Sequence, residues 1–115
     1  MISDITLQRL LAFRKDRDWE QFHTFKNLAI SISLEAAELL ENVQWSSDAD
    51  LVGVVSARRK EISDEIADIA IYLTYMANDL GLDLDDCVRK KLAINEMKYP
   101  IEKTKGRSAK YDRLD

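Results

Sequence analysis

The sequence predicts an all-α fold, a helical bundle of four to five helices. Its apolar residues recur at three- and four-residue spacing, as they do on one face of an amphipathic helix. The 115 residues include only three glycines and one proline, which suits long helices joined by short turns. With 46% hydrophobic and 33% charged residues, the composition is that of a folded globular protein. We expect one domain over residues 1–102 and a basic tail over residues 103–115.

The first helix begins after Ser3, a residue type that caps helices, and it ends near Asp16. Its apolar side chains are expected to face the core. This arrangement leaves Arg9, Arg14 and Lys15 in water.

The second helix is predicted over residues 27–43. Residues 50–57 fit either a short helix or an ordered loop. A long helix then runs from about residue 58 to residue 80, where Gly81 supplies a C-terminal stop.

The last helix begins at Asp83, which caps it, and ends before Pro100. Lys91, Asn95 and Tyr99 recur along one of its faces, where they fit either an anion-binding edge or a plain solvated edge. The tail beyond it either closes over bound phosphates or only solubilises the protein through its basic residues, Lys103, Lys105, Arg107, Lys110 and Arg113.

Composition also limits the compartment and the partners. The net charge of -4 argues against a nucleic-acid polymer as a partner, because such binders usually carry a basic face. No apolar run approaches the roughly 18 residues of a membrane span, and no secretory signal is recognisable. The single cysteine, Cys87, excludes an internal disulfide. A cytoplasmic protein that does not bind membranes is expected.

Each of the two long helices carries two acids three residues apart, Glu35 with Glu38 and Glu65 with Asp68, so each pair shares a helix face. Aliphatic side chains flank both pairs, and carboxylates in such surroundings are costly to ionise unless a positive charge meets them. Two such faces packed together would form a site for a hard divalent cation with oxygen ligands. Glu61, one turn before Glu65, fits a further ligand, a general base or an exposed side chain.

The connection after the first helix is dense in aromatic residues. Trp19, Phe22 and Phe25 either plug the end of the bundle or offer a stacking surface to a planar ligand. His23 is the only histidine, and a lone loop histidine is more often a hydrogen-bonding partner than a catalyst.

Several short motifs occur in the order and spacing of a known family. They are residues 18–23, 26–28, 35–39, 44–45, 64–73, 91, 94–95, 98–100, 108 and 110–111. Through them the chain resembles, over nearly its whole length, the MazG-like all-α nucleoside triphosphate pyrophosphohydrolases, and within these the dCTP pyrophosphatase branch. The two acidic motifs are moderately specific by themselves. The tryptophan-containing connection and the Lys-Asn-Tyr-Pro end, formed by Lys91, Asn95, Tyr99 and Pro100, make the combination highly specific.

The resemblance implies hydrolysis of (deoxy)nucleoside triphosphates between the α and β phosphates, in nucleotide-pool house-cleaning on dCTP-like or other dNTP substrates. It implies that Mg²⁺, or Mn²⁺ as an alternative ion, is held by Glu35, Glu38, Glu65 and Asp68. The chemistry of these acids, and not the resemblance, indicates that one left without metal serves as the general base, and Glu61, an extra acid relative to the family pattern, is a candidate for that role. Trp19 and Trp45 would contact the base of the nucleotide. The other implied substrate contacts are His23, Lys26, Asn27, Tyr72, Lys91, Asn95, Tyr99 and Lys110.

Three points stay open at this level. Relatives in the dCTP branch carry a histidine where this chain has Leu10, so the preferred base is undetermined. The same acids would be surface groups in a non-catalytic helical oligomeric interaction protein, and Mg²⁺ binding would separate that alternative from an enzyme. Apolar positions extend around more of each helix than a chain of this length covers by itself, which favours a homo-dimer or a homo-tetramer.

Overall fold

The computed structural model describes residues 2–108 and residue 112, and the secondary structure of these residues is entirely helical. It contains six α-helices and one short 3₁₀ helix at Glu20–Phe22. The α-helices are α1 (Asp4–Asp16), α2 (Phe25–Glu41), α3 (Leu51–Ala57), α4 (Arg59–Asp79), α5 (Leu84–Lys98) and α6 (Ile101–Thr104). The all-α class is confirmed. The expected number of four to five helices was too low, because the undecided segment forms α3 and the short α6 follows the proline.

The ends of the helices follow local capping chemistry. Ser3 and Asp83 accept backbone N–H groups in the first turns of α1 and α5, as predicted. Thr24 caps α2 in the same way, so that helix begins two residues earlier than expected. Gly81 follows α4 with a φ of +68°, a left-handed conformation that glycine adopts without a steric penalty.

The chain forms two compact units, one over Ile2–Gly81 and one that begins at Leu82. In the first unit, α2 packs most extensively against α4, and α1 and α3 also contact α4. The buried apolar residues are Leu28 on α2 and Tyr75 and Ala77 on α4. The packing of α2 on α4 is what brings their acidic faces together.

Arg14 is buried, with 5% of its surface exposed, which corrects the expectation that it lies in water. Its Nη1 and Nη2 donate to the two carboxylate oxygens of Asp79 at 2.9 and 2.7 Å, which joins α1 to α4. Its guanidinium also lies over the ring of Tyr75. The physical reason is that Arg14 follows Leu7 and Leu10 at helical spacing, on the face that α1 turns inward.

The second unit contains α5 and α6. The predicted basic tail begins inside α6, at Lys103. Lys110 and Arg113 lie outside the described residues, and the boundary between residues 102 and 103 stays a prediction. None of the helices within residues 2–108 combines the length and the apolar composition that a membrane crossing requires.

Candidate active site

Three glutamates meet where α2 packs on α4. Glu35 and Glu38 come from α2 and Glu65 from α4, and one carboxylate oxygen of each lies within 4.8 Å of the others. The first two share a face because they are three residues apart in a helix. The third joins them only through the packing of the two helices. Three carboxylates at this distance repel one another unless a proton or a cation intervenes.

This three-glutamate group contains polar atoms that the described residues leave unpaired. The Oε2 atoms of Glu35 and Glu65 are buried and have no hydrogen-bond partner among the described residues. A proton shared between these two carboxylates would satisfy both. This pairing, together with burial and the nearby Glu38, raises the pKa of Glu35 to about 8. A hard divalent cation takes carboxylate oxygens as ligands, so the donor set fits such an ion.

The other two predicted acids stand apart from the group. Asp68, one turn after Glu65 on α4, lines a neighbouring cavity. Glu61 is exposed in the first turn of α4. The structure therefore brings together three of the four predicted metal ligands, and the roles of Asp68 and Glu61 stay predictions.

The cavity beside Asp68 has a volume of about 310 Å³ and mostly apolar walls. This volume is at the lower end of the range for small-molecule sites. Aromatic walls of this kind suit a flat ring. We call it the aromatic cavity, and it is lined by Leu10, Phe13, Trp19, His23, Asp68, Ile71, Tyr72 and Tyr75.

The end of α1 directs Trp19 into this cavity. Asp18 has a φ of +56°. Its N–H donates to the carbonyl of Lys15 at 3.0 Å, and the N–H of Trp19 donates to the carbonyl of Arg14 at the same distance. This is the Schellman arrangement of a helix C-terminus, with an aspartate in the position that glycine usually occupies. The indole then meets Phe13 edge to face, with ring centres 5.6 Å apart.

His23 lies among the aromatic rings of the cavity. Its ring centre is 5.2 Å from that of Tyr75 and 6.4 Å from those of Tyr72 and Trp19. Burial, and after it the positive charge of Arg14, lower the pKa of His23 below its usual 6.5. The imidazole is therefore neutral at pH 7, and a neutral imidazole carries both a hydrogen-bond donor and an acceptor.

The other substrate contacts predicted in the first unit lie on its surface, outside the aromatic cavity. Trp45 is 90% exposed and does not line the aromatic cavity. The side chain of Asn27 donates to the carbonyl of Phe22 at 3.0 Å, and Lys26 is exposed. Phe22 and Phe25 are more than half exposed, so they do not plug the end of the bundle.

The predicted phosphate or sugar contacts on α5 lie in the second unit. Lys91 and Asn95 line a shallow cavity of about 310 Å³ together with Cys87, Val88 and Leu92. Tyr99 follows the last residue of α5 and is half-buried. Lys110 lies outside the described residues. The roles of all four stay predictions.

Sequence reasoning missed several residues of the aromatic cavity. It assigned no site role to Tyr75, Phe13 or Ile71. A signal existed for two of them, because Tyr75 follows Tyr72 by three residues and Phe13 follows Leu10 by three, which places each pair on one helix face.

Comparison with known proteins gives a consistent picture. Residues 30–114 match the family described as MazG-like. The chain is 38% identical over 112 residues to dCTP pyrophosphatase 1 of Rattus norvegicus and 36% identical over 111 residues to that of Homo sapiens. Each alignment covers 94% of this chain, which spans 65% of the length of these relatives. A crystal structure of a pyrophosphatase from Archaeoglobus fulgidus superimposes with a TM-score of 0.82 at 42% identity, over 84% of this chain and 91% of that one.

Proposed function

The chain belongs to the MazG-like family, and we propose that it hydrolyses nucleoside triphosphates between the α and β phosphates. The observation that carries the proposal is the three-glutamate group with its buried, unpartnered oxygens, one helical turn from an aromatic cavity. The pyrophosphatases to which the chain is similar support it. Buried carboxylate oxygens without donors would be unexpected in an interaction protein whose acids only decorate its surface.

We propose that a divalent cation, with Mg²⁺ as the first candidate, completes this site. Glu35, Glu38 and Glu65 would hold it, with Asp68 as the fourth proposed ligand. Such an ion neutralises phosphate charge and activates water. A carboxylate without metal then accepts the proton of the attacking water, as general bases do. The products are a nucleoside monophosphate and pyrophosphate.

The aromatic cavity is the proposed site of the base. Trp19 and Tyr72 offer ring faces, and stacking on aromatic side chains tolerates any base because every base has a π face. Leu10 contributes an apolar wall. We propose deoxynucleotides such as dCTP as substrates, since the curated relatives are named for dCTP. Trp45 remains a proposed second wall, and Lys91, Asn95 and Tyr99 remain proposed phosphate or sugar contacts.

We propose that the enzyme is a homo-dimer or a homo-tetramer. Large apolar side chains are exposed on both helices of the site, including Leu34 at 59% and Ile66 at 55%. A second copy packed on these faces would remove them from water, at a gain of about 25 cal/mol per Å² of apolar surface. Light scattering of the purified protein measures the mass in solution. A monomer at micromolar concentration would contradict this part of the proposal.

The bond that is broken gives the direct test of the function. Each dNTP and NTP is incubated with the protein and Mg²⁺, and the products are separated by chromatography. We expect monophosphate and pyrophosphate to appear together, with none formed in EDTA and at least about 100-fold less formed by Glu65→Gln. Nucleoside diphosphate and orthophosphate as the first products would contradict the proposal.

A further inference from the structure

The ion pair of Arg14 and Asp79 has no role in the function described so far. Arg14 is 5% exposed, and its two terminal nitrogens donate to both oxygens of Asp79 at 2.9 and 2.7 Å. A buried ion pair is often no more stabilising than apolar side chains of similar volume. Stability alone is therefore a weak reason for this pair.

Arg14 acts on the aromatic residues of the cavity through several contacts. Its guanidinium carbon lies 4.6 Å from the ring centre of Tyr75, within the range of a cation–π contact. Its backbone carbonyl accepts the N–H of Trp19 at 3.0 Å. Its positive charge also contributes to the lowered pKa of His23.

Tyr75 extends these contacts to the cavity wall. Its ring lies 5.2 Å from that of His23, and its hydroxyl donates to the carbonyl of Leu10 at 2.8 Å. A tilt of this ring would therefore shift two other lining residues. A planar guanidinium held by both carboxylate oxygens restricts such a tilt, because the fork fixes its plane.

We propose that the Arg14–Asp79 pair is a positioning unit of the aromatic cavity. It fixes Tyr75, and through Tyr75 the adjoining ring of His23, in the orientation that receives a nucleobase, and so it sets the affinity for the nucleotide without touching it. This inference rests on the proposed function, because it takes the base of the substrate as the occupant of the cavity.

The double variant Arg14→Met with Asp79→Leu separates positioning from stability. It removes both charges together, so neither is left buried and unpaired, and we expect a melting temperature near that of the wild type. The KM for dCTP should rise about tenfold while kcat changes less than about twofold, because the bound substrate and the transition state lose the same binding free energy.

A second measurement reads the cavity without any activity. His23 is the only histidine of the chain, so its imidazole C–H signals in an NMR spectrum need no assignment. Ring currents from Tyr75, Tyr72 and Trp19 act on these protons at the distances given above. We expect the signals to move in the double variant at a pH well above 7, where the imidazole is neutral with or without the pair, so that the movement reports displaced rings and not a changed pKa of His23.

Arg14→Lys is the second variant, for the case in which the double variant does not fold. It keeps the charge opposite Asp79 and removes the planar group over Tyr75, so a smaller rise in KM, about threefold, is expected. Wild-type KM and wild-type imidazole signals in a folded variant would overturn the inference, leaving the pair as a link between α1 and α4 only. Failure of the proposed function would look different. The wild type itself would release no pyrophosphate, and the imidazole signals would still report whether the pair positions the rings.

Discussion

The three-glutamate group and the aromatic cavity share helix α4 but are held in opposite ways. At the first, Glu35, Glu38 and Glu65 bring like charges within 4.8 Å and leave two buried oxygens without partners. At the second, Arg14 meets Asp79 through two hydrogen bonds, and the adjoining rings contact one another. The described residues offer no partner to the two buried oxygens of the first region, whereas the charges of the second are paired within the chain.

This difference indicates that the two halves of the proposed site have different roles, one in metal binding and catalysis and the other in holding the base. A region that repels itself binds a cation strongly, because the cation removes the repulsion. A region that is already ordered binds a flat ring without first paying an entropy cost. Changes at the glutamates should therefore affect catalysis and metal binding, and changes around the cavity should affect stability and affinity.

The largest effect is expected at the glutamates. Glu65→Gln keeps the side-chain shape and removes one proposed ligand, so pyrophosphate release should fall by at least about 100-fold. Above pH 8, where Glu35 is ionised as well, the same change relieves repulsion, so in EDTA the variant should melt no lower than the wild type, and Mg²⁺ should raise its melting temperature less. Melting curves with EDTA and then with Mg²⁺ test both parts. A variant less stable than the wild type in EDTA would mean that Glu65 makes a structural hydrogen bond.

The pH dependence of stability should differ between the two regions. Without metal, folded Glu35 keeps its proton up to a pH of about 8, against a usual pKa of 4.5. The folded state therefore binds more protons than the unfolded state between these values, and its stability should fall as the pH rises through this window. The pKa of His23 is lowered in the folded state, so the stability that its neutral imidazole contributes is lost as the pH falls below 6.5. Denaturant titrations across pH, with Glu35→Gln as the control, check the first slope, which that variant should lack.

The ion pair beside the cavity should carry the largest stability effect there. Asp79→Asn leaves the buried Arg14 without its counter-charge and should cost about 3 kcal/mol of unfolding free energy, at the low end for buried pairs because the Asp79 side chain is 36% exposed. Asp85→Asn is the matched control. Its pair with Arg89 has a similar separation, 2.9 Å, but lies on the surface, so a loss below about 1 kcal/mol is expected. Equal losses in urea unfolding would contradict the distinction.

The binding contribution of the cavity should be smaller. Trp19→Ala removes a ring face and should cost about 1–3 kcal/mol of nucleotide binding, seen mainly in KM. Trp45→Ala tests the proposed second wall in the same assay. An unchanged KM combined with a large loss of stability for Trp19→Ala would assign that tryptophan to the core.

The smallest effect concerns the turn that aims Trp19. Asp18→Ala keeps a Cβ at a positive φ and loses the hydrogen bond from Gln21 to the Asp18 carboxylate, so about 1 kcal/mol of stability should be lost. Asp18→Gly loses the same hydrogen bond but gains conformational ease, and its loss should be smaller. Thermal unfolding distinguishes the two. A glycine variant less stable than the alanine variant would contradict the left-handed turn.

Local patterns in the sequence were enough for the helices and for the acidic pairs. Such patterns are properties of a few adjacent residues and hold in any helical protein. They include the caps at Ser3 and Asp83, the stop at Gly81 and the three-residue spacing of Glu35 and Glu38. The family followed from the order of such motifs along the chain.

Only the tertiary structure decided which of these residues meet. It joined Glu65 but not Asp68 to the acids of α2, and it buried Arg14, which the sequence had suggested to be in water, against an aspartate 65 residues away. It also exposed Phe22 and Phe25 while it selected Tyr75 as a cavity wall. Spacing along one helix fixes which side chains share a face, but the partner of that face depends on how two distant helices pack, and no local pattern contains that information.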